Sequence, residues 1–274
     1  MMPTHPKAII RQTYDEVAAD YDHPANAFFS QAVTKPMLQQ MNLAANSHIL
    51  DIGTGTGVFA LYVAQQRPDS QVLGIDLSSA MLAQARQKAL ANKLRNVQFQ
   101  QMDMEALYFA DQSFDAISCC FSLYFLDDMG KGLQHIASKL KPNGTLAISF
   151  YKKTAFLPLS SLFKQHYALF KPSHEQAEPW ENLSDAAFIE ALFQQAGMQT
   201  VRLHHEPVGF YLSSAPTWWD ILWNTGYRRL LTALSAKEQA VFKQKHMTEV
   251  AKLCQDAPYW VDTSMIIALG HKQH

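Results

Sequence analysis

The sequence predicts an α/β fold: a doubly wound, mostly parallel sheet of seven strands with helices on both faces and a helical lid. Three observations predict it. Short apolar runs alternate with longer amphipathic stretches. A glycine-rich loop joins the first such run to the first such stretch. Hydrophobic residues make up 48% of the 274 positions and charged residues 17%, which suits one large domain with a sizeable core. Strands and helices that take turns build a parallel sheet, and right-handed crossovers leave few topologies.

Taken in order, His48–Ile52 (HILDI) reads as a buried strand and Gly57–Gln66 as a helix closed by Arg67-Pro68. Gln71–Asp76 is a second strand. Ser78 or Ser79 caps a helix through Ala91, where Met81, Leu82, Ala85 and Ala89 recur at helical spacing. Val97–Gln101 and Phe114–Cys120 are the third and fourth strands. A helix over Met129–Leu140 and a turn at Lys141-Pro142-Asn143-Gly144 lead to a fifth, Thr145–Tyr151. Ser184–Gly197 reads as a capped helix, and Gln199–Pro207 and Ser264–Gly270 as the sixth and seventh strands.

Two stretches break the alternation and are too long for turns. Lys152–Glu181 carries Phe156, Phe163, Tyr167, Phe170 and Trp180 among prolines, and Gly209–Tyr259 holds Trp218, Trp219, Trp223 and Tyr227. A single domain is expected: residues 1–45 as a helical cover, 46–151 as a ligand-binding core, 152–183 as an insertion, and 184–274 completing the sheet, with a lid near 209–259.

A net charge of −1, with scattered Lys and Arg, offers no basic field to attract nucleic acid or an anionic membrane non-specifically. The three cysteines (Cys119, Cys120, Cys254) show no metal-type spacing, so no metal is expected. Neither a signal-like hydrophobic start nor a run of about 18 apolar residues is present, and a cytoplasmic chain without a membrane span is expected.

The loop Asp51-Ile52-Gly53-Thr54-Gly55-Thr56-Gly57 lies where a strand ends and a helix begins. Glycines permit positive φ and close approach of a ligand, and the helix start presents unpaired N–H groups. In an open parallel sheet, ligands sit at this end of the strands. The Gly-x-Gly-x-Gly spacing departs from the dinucleotide fingerprint Gly-x-Gly-x-x-Gly, and no Gly-Lys-Ser/Thr follows. An acid at Asp51 suits a ligand with a cationic portion better than a pyrophosphate.

With these residues, the chain resembles the class I S-adenosylmethionine-dependent methyltransferases, in particular the small-molecule branch that includes ubiquinone/menaquinone-biosynthesis enzymes. Asp51–Gly57 matches that family's first motif, Asp76 its ribose-binding acid, and Asp103 its polar residue facing the adenine amino group. The resemblance implies a Rossmann-like sheet whose last strand is antiparallel, with S-adenosyl-L-methionine as cofactor. It also implies contacts from Gly53, Thr54, Gly55 and Gly57, base-flanking positions at Met104, Leu77 and Met81, and a place near the methyl donor for Cys119 on the fourth strand. Glu105 is an alternative to Asp103. Tyr14-Asp15 through Tyr21-Asp22 is similar to the family's N-terminal helix, which closes over the cofactor.

Methyl transfer from a sulfonium is an in-line displacement, so the protein mainly aligns donor and acceptor. Should the acceptor have to lose a proton, Tyr14, Tyr21, His23 and Tyr124 are the candidate bases. His135 is expected to pack or face solvent, and the neighbours His204 and His205 to point to opposite faces of an edge strand. Trp219 and Trp223, four apart on one helical face, together with Tyr151, are expected to line the acceptor pocket or pack a lid. The residues after the fourth strand, Cys120-Phe121-Ser122-Leu123, are not the Asn/Asp-Pro-Pro-Tyr/Phe of enzymes that methylate DNA amino groups. The expectation is therefore a methyltransferase for a small, partly apolar acceptor. The alternatives are a non-catalytic S-adenosylmethionine-binding protein and, disfavoured by the glycine spacing, an NAD(P)-dependent oxidoreductase.

Overall fold

The computed structural model describes residues 6–172 and 183–273. Its strands are β1 (His48–Ile52), β2 (Gln71–Asp76), β3 (Val97–Gln101), β4 (Phe114–Cys120), β5 (Leu140–Tyr151), β6 (Met198–Glu206), β7 (Gly209–Leu212), β8 (Tyr259–Asp262) and β9 (Met265–Lys272). Seven of them form one sheet in the order β3-β2-β1-β4-β5-β9-β6. Strands β1 to β5 run parallel, and β9 is antiparallel to both its neighbours. This is the expected Rossmann-like sheet with its last strand reversed.

Alternation along the strands sends side chains to two cores. Leu50, Ile52, Ile117, Cys119, Leu146 and Ile148 face α5 (Met129–Ser138) and α7 (Ala186–Gln195). Ile49, Ala116, Ala147 and Ile267 face α2 (Pro24–Met41) and α3 (Val58–Gln66). Cys119 and Cys120 accordingly part company: Cys119 joins the first core, while Cys120 packs against the second, its Sγ 3.4 Å from Met37 Sδ.

Local signals set the helix ends. Ser78 caps α4 (Ser79–Ala91) by accepting from the Met81 N–H, and Asp128 caps α5 by accepting from the Lys131 N–H. Asp185, rather than Ser184, caps α7. The expected turn at Lys141–Gly144 is a bulge inside β5: the register with β4 steps from Phe114↔Leu140 to Ala116↔Thr145. The ribbon β7–β8 was missed by the sequence reading, because each strand has only four residues.

The two long stretches that break the alternation fold together. From the first, α6 (Leu159–Ala168) supplies Leu159, Phe163 and Tyr167. From the second, β7, α8 (Ala215–Trp223), α9 (Arg228–Thr232), α10 (Ala236–Leu253) and β8 supply Leu212, Trp218, Ile221, Leu231, Phe242 and Val261. They share one aromatic core, a lid beside the sheet. Trp180, expected in the cover, lies outside the described residues.

A buried polar chain pins three lid helices. Trp218 Nε1 donates to His246 Nε2 at 3.0 Å, and His246 Nδ1 lies 3.1 Å from His166 Nδ1. Accepting at Nε2 leaves the His246 proton on Nδ1, so the ring is neutral and donates to His166. Burial, then the neighbouring His166, lowers the His246 pKa from 6.5 to about 4. The folded state therefore lacks a proton that the unfolded chain binds between those values. The stability contributed by neutral His246 is whole above 6.5 and is lost as pH falls toward 4. In denaturant melts, the advantage of the wild type over His246→Phe should shrink as pH falls through that window. A gap constant with pH would mean that the imidazole does not titrate.

Candidate active site

The chain reverses its winding between β1 and β4, and the crevice there opens at the carboxyl ends of β1, β2, β3 and β4. Asp51–Gly57 lies on that crevice. Gly53, Gly55 and Gly57 have φ of 63°, 54° and 80°, a region that L side chains rarely adopt. The three positions differ in what surrounds them. A Cβ at Gly53 would stand 2.4 Å from Ser122 Oγ, and one at Gly57 2.9 Å from the Ala85 Cβ, whereas one at Gly55 meets nothing within 4 Å. Gly53 and Gly57 let the loop pack on the protein, and Gly55 faces open space.

Asp51 lies beneath this loop, 1% exposed. Its carboxylate accepts from Thr54 Oγ at 2.6 Å and Ser118 Oγ at 2.7 Å. Burial raises its pKa to about 6 against those hydrogen bonds, with Asp76 adding repulsion. The acid expected to meet a cationic ligand is thus spent largely on shaping the turn. Ser122, which the sequence reading did not single out, wedges against Gly53 and donates to the Ile52 carbonyl at 3.2 Å.

Asp76 ends β2 at the crevice, half-buried. One oxygen accepts from the Gly55 N–H and the other from the Ser78 N–H, both at 2.8 Å. Burial lifts its pKa, and these N–H groups oppose the rise. Asp103 follows β3 and pairs with Lys7 at 2.7 Å; the same ammonium pairs with Glu105. Both adenine-facing candidates are therefore tied to one lysine of α1 (Pro6–Val17). Met104 and Leu77 are partly buried near these acids, and Met81 packs beneath α1 on Val17 and Ala18.

Helix α1 and the turn after it lie over the crevice. Asp15 accepts from Ser78 Oγ at 2.6 Å and from the Ala80 N–H at 3.3 Å. Asp22 accepts from Thr56 Oγ at 2.8 Å and pairs with Lys88. These acids alternate with the expected tyrosines in the Tyr14-Asp15…Tyr21-Asp22 pattern, which was the signal available for them.

Five tyrosines from separate segments come together, and two of them, Tyr14 and Tyr21, lie within electrostatic reach of Asp76. Tyr14 contacts Tyr21 and Phe125 edge-on, with centroids 6.1 and 5.8 Å apart. Tyr124 leans on Phe125, Tyr151 stacks on Phe121 at 4.4 Å, and Tyr227 meets Phe163 at 4.8 Å. The phenols of Tyr14, Tyr21, Tyr124, Tyr151 and Tyr227 lie within electrostatic reach of one another. Desolvation pushes the Tyr21 phenol up to about 12 and those of Tyr14, Tyr124 and Tyr151 well above the usual range. Tyr14, Tyr21 and Tyr124 were expected as bases. Raised phenol pKa values keep them protonated at neutral pH, which weighs against a role as bases. His23 is exposed at the surface.

One further expectation needs correction. Cys119 is fully buried, its Sγ 3.1 Å from Ser122 Oγ, because strand alternation turns it into the sheet core rather than toward a cofactor. Trp219 and Trp223 stack on each other at 6.0 Å, with Lys243 over the first ring and Arg228 over the second. Both rings are partly buried against the lid core, the lid packing expected of them, and Trp218 of the same helix is fully buried. Tyr151 does stand among the tyrosines. Tyr227, beside Gly226, joins them from the lid; a Cβ on Gly226 would lie 3.5 Å from the Tyr14 hydroxyl.

Residues 49–144 match a family described as a methyltransferase domain. The ubiquinone/menaquinone biosynthesis C-methyltransferase of Geotalea daltonii is 31% identical over 167 residues, covering 59% of this chain and 69% of that protein. The demethylmenaquinone methyltransferase of Bacteroides fragilis is 27% identical over 168 residues, covering 60% of this chain and 69% of that protein. Among solved structures, a phosphoethanolamine N-methyltransferase from Haemonchus contortus shares the fold, with a TM-score of 0.63 at 19% identity over 99% of this chain and 61% of that one.

The glycines give a direct test of the loop. Gly53→Ala adds a clash with Ser122 to the positive-φ strain and should cost about 2–4 kcal/mol. Gly55→Ala adds strain alone and should cost about 1 kcal/mol. Urea denaturation midpoints check the ordering; equal losses would mean that Ser122 yields freely.

Proposed function

Because the chain belongs to the class I S-adenosylmethionine-dependent methyltransferases, in their ubiquinone/menaquinone-like branch, we propose how its residues divide the work of methylating a small molecule. The crevice fits S-adenosyl-L-methionine. It offers a glycine loop with an open position at Gly55, two carboxylates, and paired acceptor oxygens on Asp76 at a strand end. When bound, the cofactor supplies a methyl group on a positively charged sulfur.

Asp76 takes the ribose hydroxyls with the lone pairs left over from Gly55 and Ser78. Asp103, with Glu105 beside it, faces the adenine amino group, and Lys7 holds the pair in place. Met104, Leu77 and Met81 flank the base. The backbone of Gly53–Gly57 meets the amino-acid portion, and Asp51 fixes that loop from below through Thr54 and Ser118. Asp15 and Asp22 fasten α1 and its following turn to the rim.

The acceptor sits among Tyr14, Tyr21, Tyr124, Tyr151 and Tyr227, and the grouping of these phenols, with Tyr14 and Tyr21 within reach of Asp76, carries this part of the reading. Aromatic walls with protonated hydroxyls suit a small, partly apolar molecule with oxygen or nitrogen acceptors on its surface. The quinone-biosynthesis names of the relatives agree with such a class. The tyrosines orient the acceptor and exclude water; they do not remove its proton. A cytoplasmic enzyme fits the free cysteines, and among the described residues no helix is long and apolar enough to cross a membrane.

Calorimetry with S-adenosylhomocysteine tests the cofactor side. Asp76→Ala should weaken binding by about 2 kcal/mol, roughly thirtyfold. Unchanged affinity would place the ribose elsewhere. For the acceptor side, Tyr124→Phe and Tyr151→Phe should keep that affinity within about twofold. Both should slow S-adenosylhomocysteine formation against a panel of hydroxylated aromatic compounds by about tenfold, the loss of one donor in each transition state. Wild-type rates in both variants would remove the tyrosines from the acceptor site.

A further inference from the structure

Tyr151 ends β5 and is held by two aromatic rings from different parts of the chain. Phe121, the residue after β4, stacks on it with centroids 4.4 Å apart and planes 17° apart. Phe156, in the loop before α6, meets it edge-on at 5.1 Å and 74°. Phe121 packs against the sheet core and Phe156 against the lid core, so the ring of Tyr151 stands between the two. Tyr14, Tyr21 and Tyr227 lie within electrostatic reach of its phenol.

Both phenylalanines take a backbone conformation that bulky L side chains rarely adopt: φ is 50° at Phe121 and 63° at Phe156. Elsewhere among the described residues, positive φ falls to Gly, Asn, Lys, Gln or Thr. Such strain persists only where the surroundings over-determine it, and it gathers at functional sites. Here the backbone is fastened at both places. The Phe121 N–H donates to the Ser149 carbonyl at 3.1 Å, and the Phe156 N–H to the Asp262 carbonyl at 2.7 Å. The neighbours of Phe121 are anchored too: Cys120 packs on Met37, and Ser122 wedges against Gly53. A ring that only filled space could sit on an ordinary backbone.

We propose that Phe121 and Phe156 are positioning residues for methyl transfer, and that together they fix the Tyr151 hydroxyl relative to the Gly53–Gly57 loop. The link between the two halves of the site is one peptide bond long. Phe121 sets the acceptor-side phenol, while Ser122 braces the cofactor loop. From the other side, Phe156 ties the same phenol to the lid, with its ring 6.5 Å from that of the buried Trp218. In-line displacement asks the protein mainly for alignment, and a misplacement of about 1 Å can cost on the order of a hundredfold in rate. The role given to the two rings rests on the acceptor reading above, because they act only through Tyr151.

A double-mutant cycle on the full chain tests it, read as S-adenosylhomocysteine formation with the hydroxylated aromatic compound that the wild type methylates fastest. Phe121→Leu and Phe156→Leu keep an apolar side chain and lose the ring. Each should lower kcat by about fivefold. S-adenosylhomocysteine affinity should stay within about twofold, which also shows that the variant has folded. In a Tyr151→Phe background no hydroxyl remains to be placed, so the same substitutions should leave kcat within about twofold of Tyr151→Phe alone. The two leucine variants lie on different elements, so a loss of fold in one leaves the other to decide. Nuclear magnetic resonance of isotope-labelled tyrosine rings supplies a readout free of the acceptor. The Tyr151 signal, identified by its absence from Tyr151→Phe, should lie upfield beneath the Phe121 ring and move downfield in Phe121→Leu. An unmoved signal overturns the inference. So does a wild-type kcat in the leucine variants, or an equal loss in both backgrounds, and either result leaves the acceptor site standing. A wild-type kcat in Tyr151→Phe removes Tyr151 from the acceptor site and this role with it.

Discussion

The buried carboxylate of Asp51 is the constraint on which the site depends. A loop with three residues at positive φ does not hold its shape unaided, since glycine carries the largest conformational entropy to be lost. Asp51 offsets that cost by accepting from Thr54 inside the loop and from Ser118 on the adjacent strand. The same contacts tie β1 to β4 at the point where the sheet changes winding direction. Burial raises the pKa of this acid, yet the two hydroxyls keep it serviceable as an acceptor, and Gly55 is left pointing at open space.

Everything around the crevice is arranged against that loop. Asp76 reaches back to the Gly55 N–H, and Ser122 fills the space that a side chain at position 53 would need. From the other side, α1 and the turn after it contribute Lys7, Asp15 and Asp22, each bound to a different strand end or helix start. Partly exposed contacts of this sort are worth little singly. Their spacing along one short segment makes the cover dependent on several strands at once. The lid joins the same cover: Arg228 reaches the Glu16 carbonyl, and Asn26 donates to the Asn224 carbonyl.

Opposed electrostatic environments separate the two halves of the site. Asp51 and Asp76 repel each other across the loop and, among the described residues, neither forms an ion pair, a field suited to a positively charged ligand. Around the tyrosines, desolvation dominates, so the phenols stay neutral and the surroundings apolar. Methyl transfer from sulfur needs alignment and dryness more than proton traffic, and this division provides both.

The sequence by itself determined what local pattern can encode. Strands β1 to β5 and the helices between them follow from periodicity, the bend at Asp51–Gly57 from its glycines, and Asp76 and Asp103 from their places at successive strand ends. Ribbon β7–β8 escaped because four-residue strands carry too little periodicity to stand out. Only the tertiary structure could decide that two stretches separated by a helix and a strand share one lid core, since their pairing rests on contacts between residues such as Phe163 and Phe242. It also decided that Trp219 and Trp223 pack at the edge of the lid core while Trp218 is fully buried, that Cys119 turns into the sheet core, and that Gly226 of the lid comes against the hydroxyl of Tyr14 from the N-terminal helix. Spacing along a helix shows which side chains share a face. Which face is covered depends on what the rest of the chain brings to it.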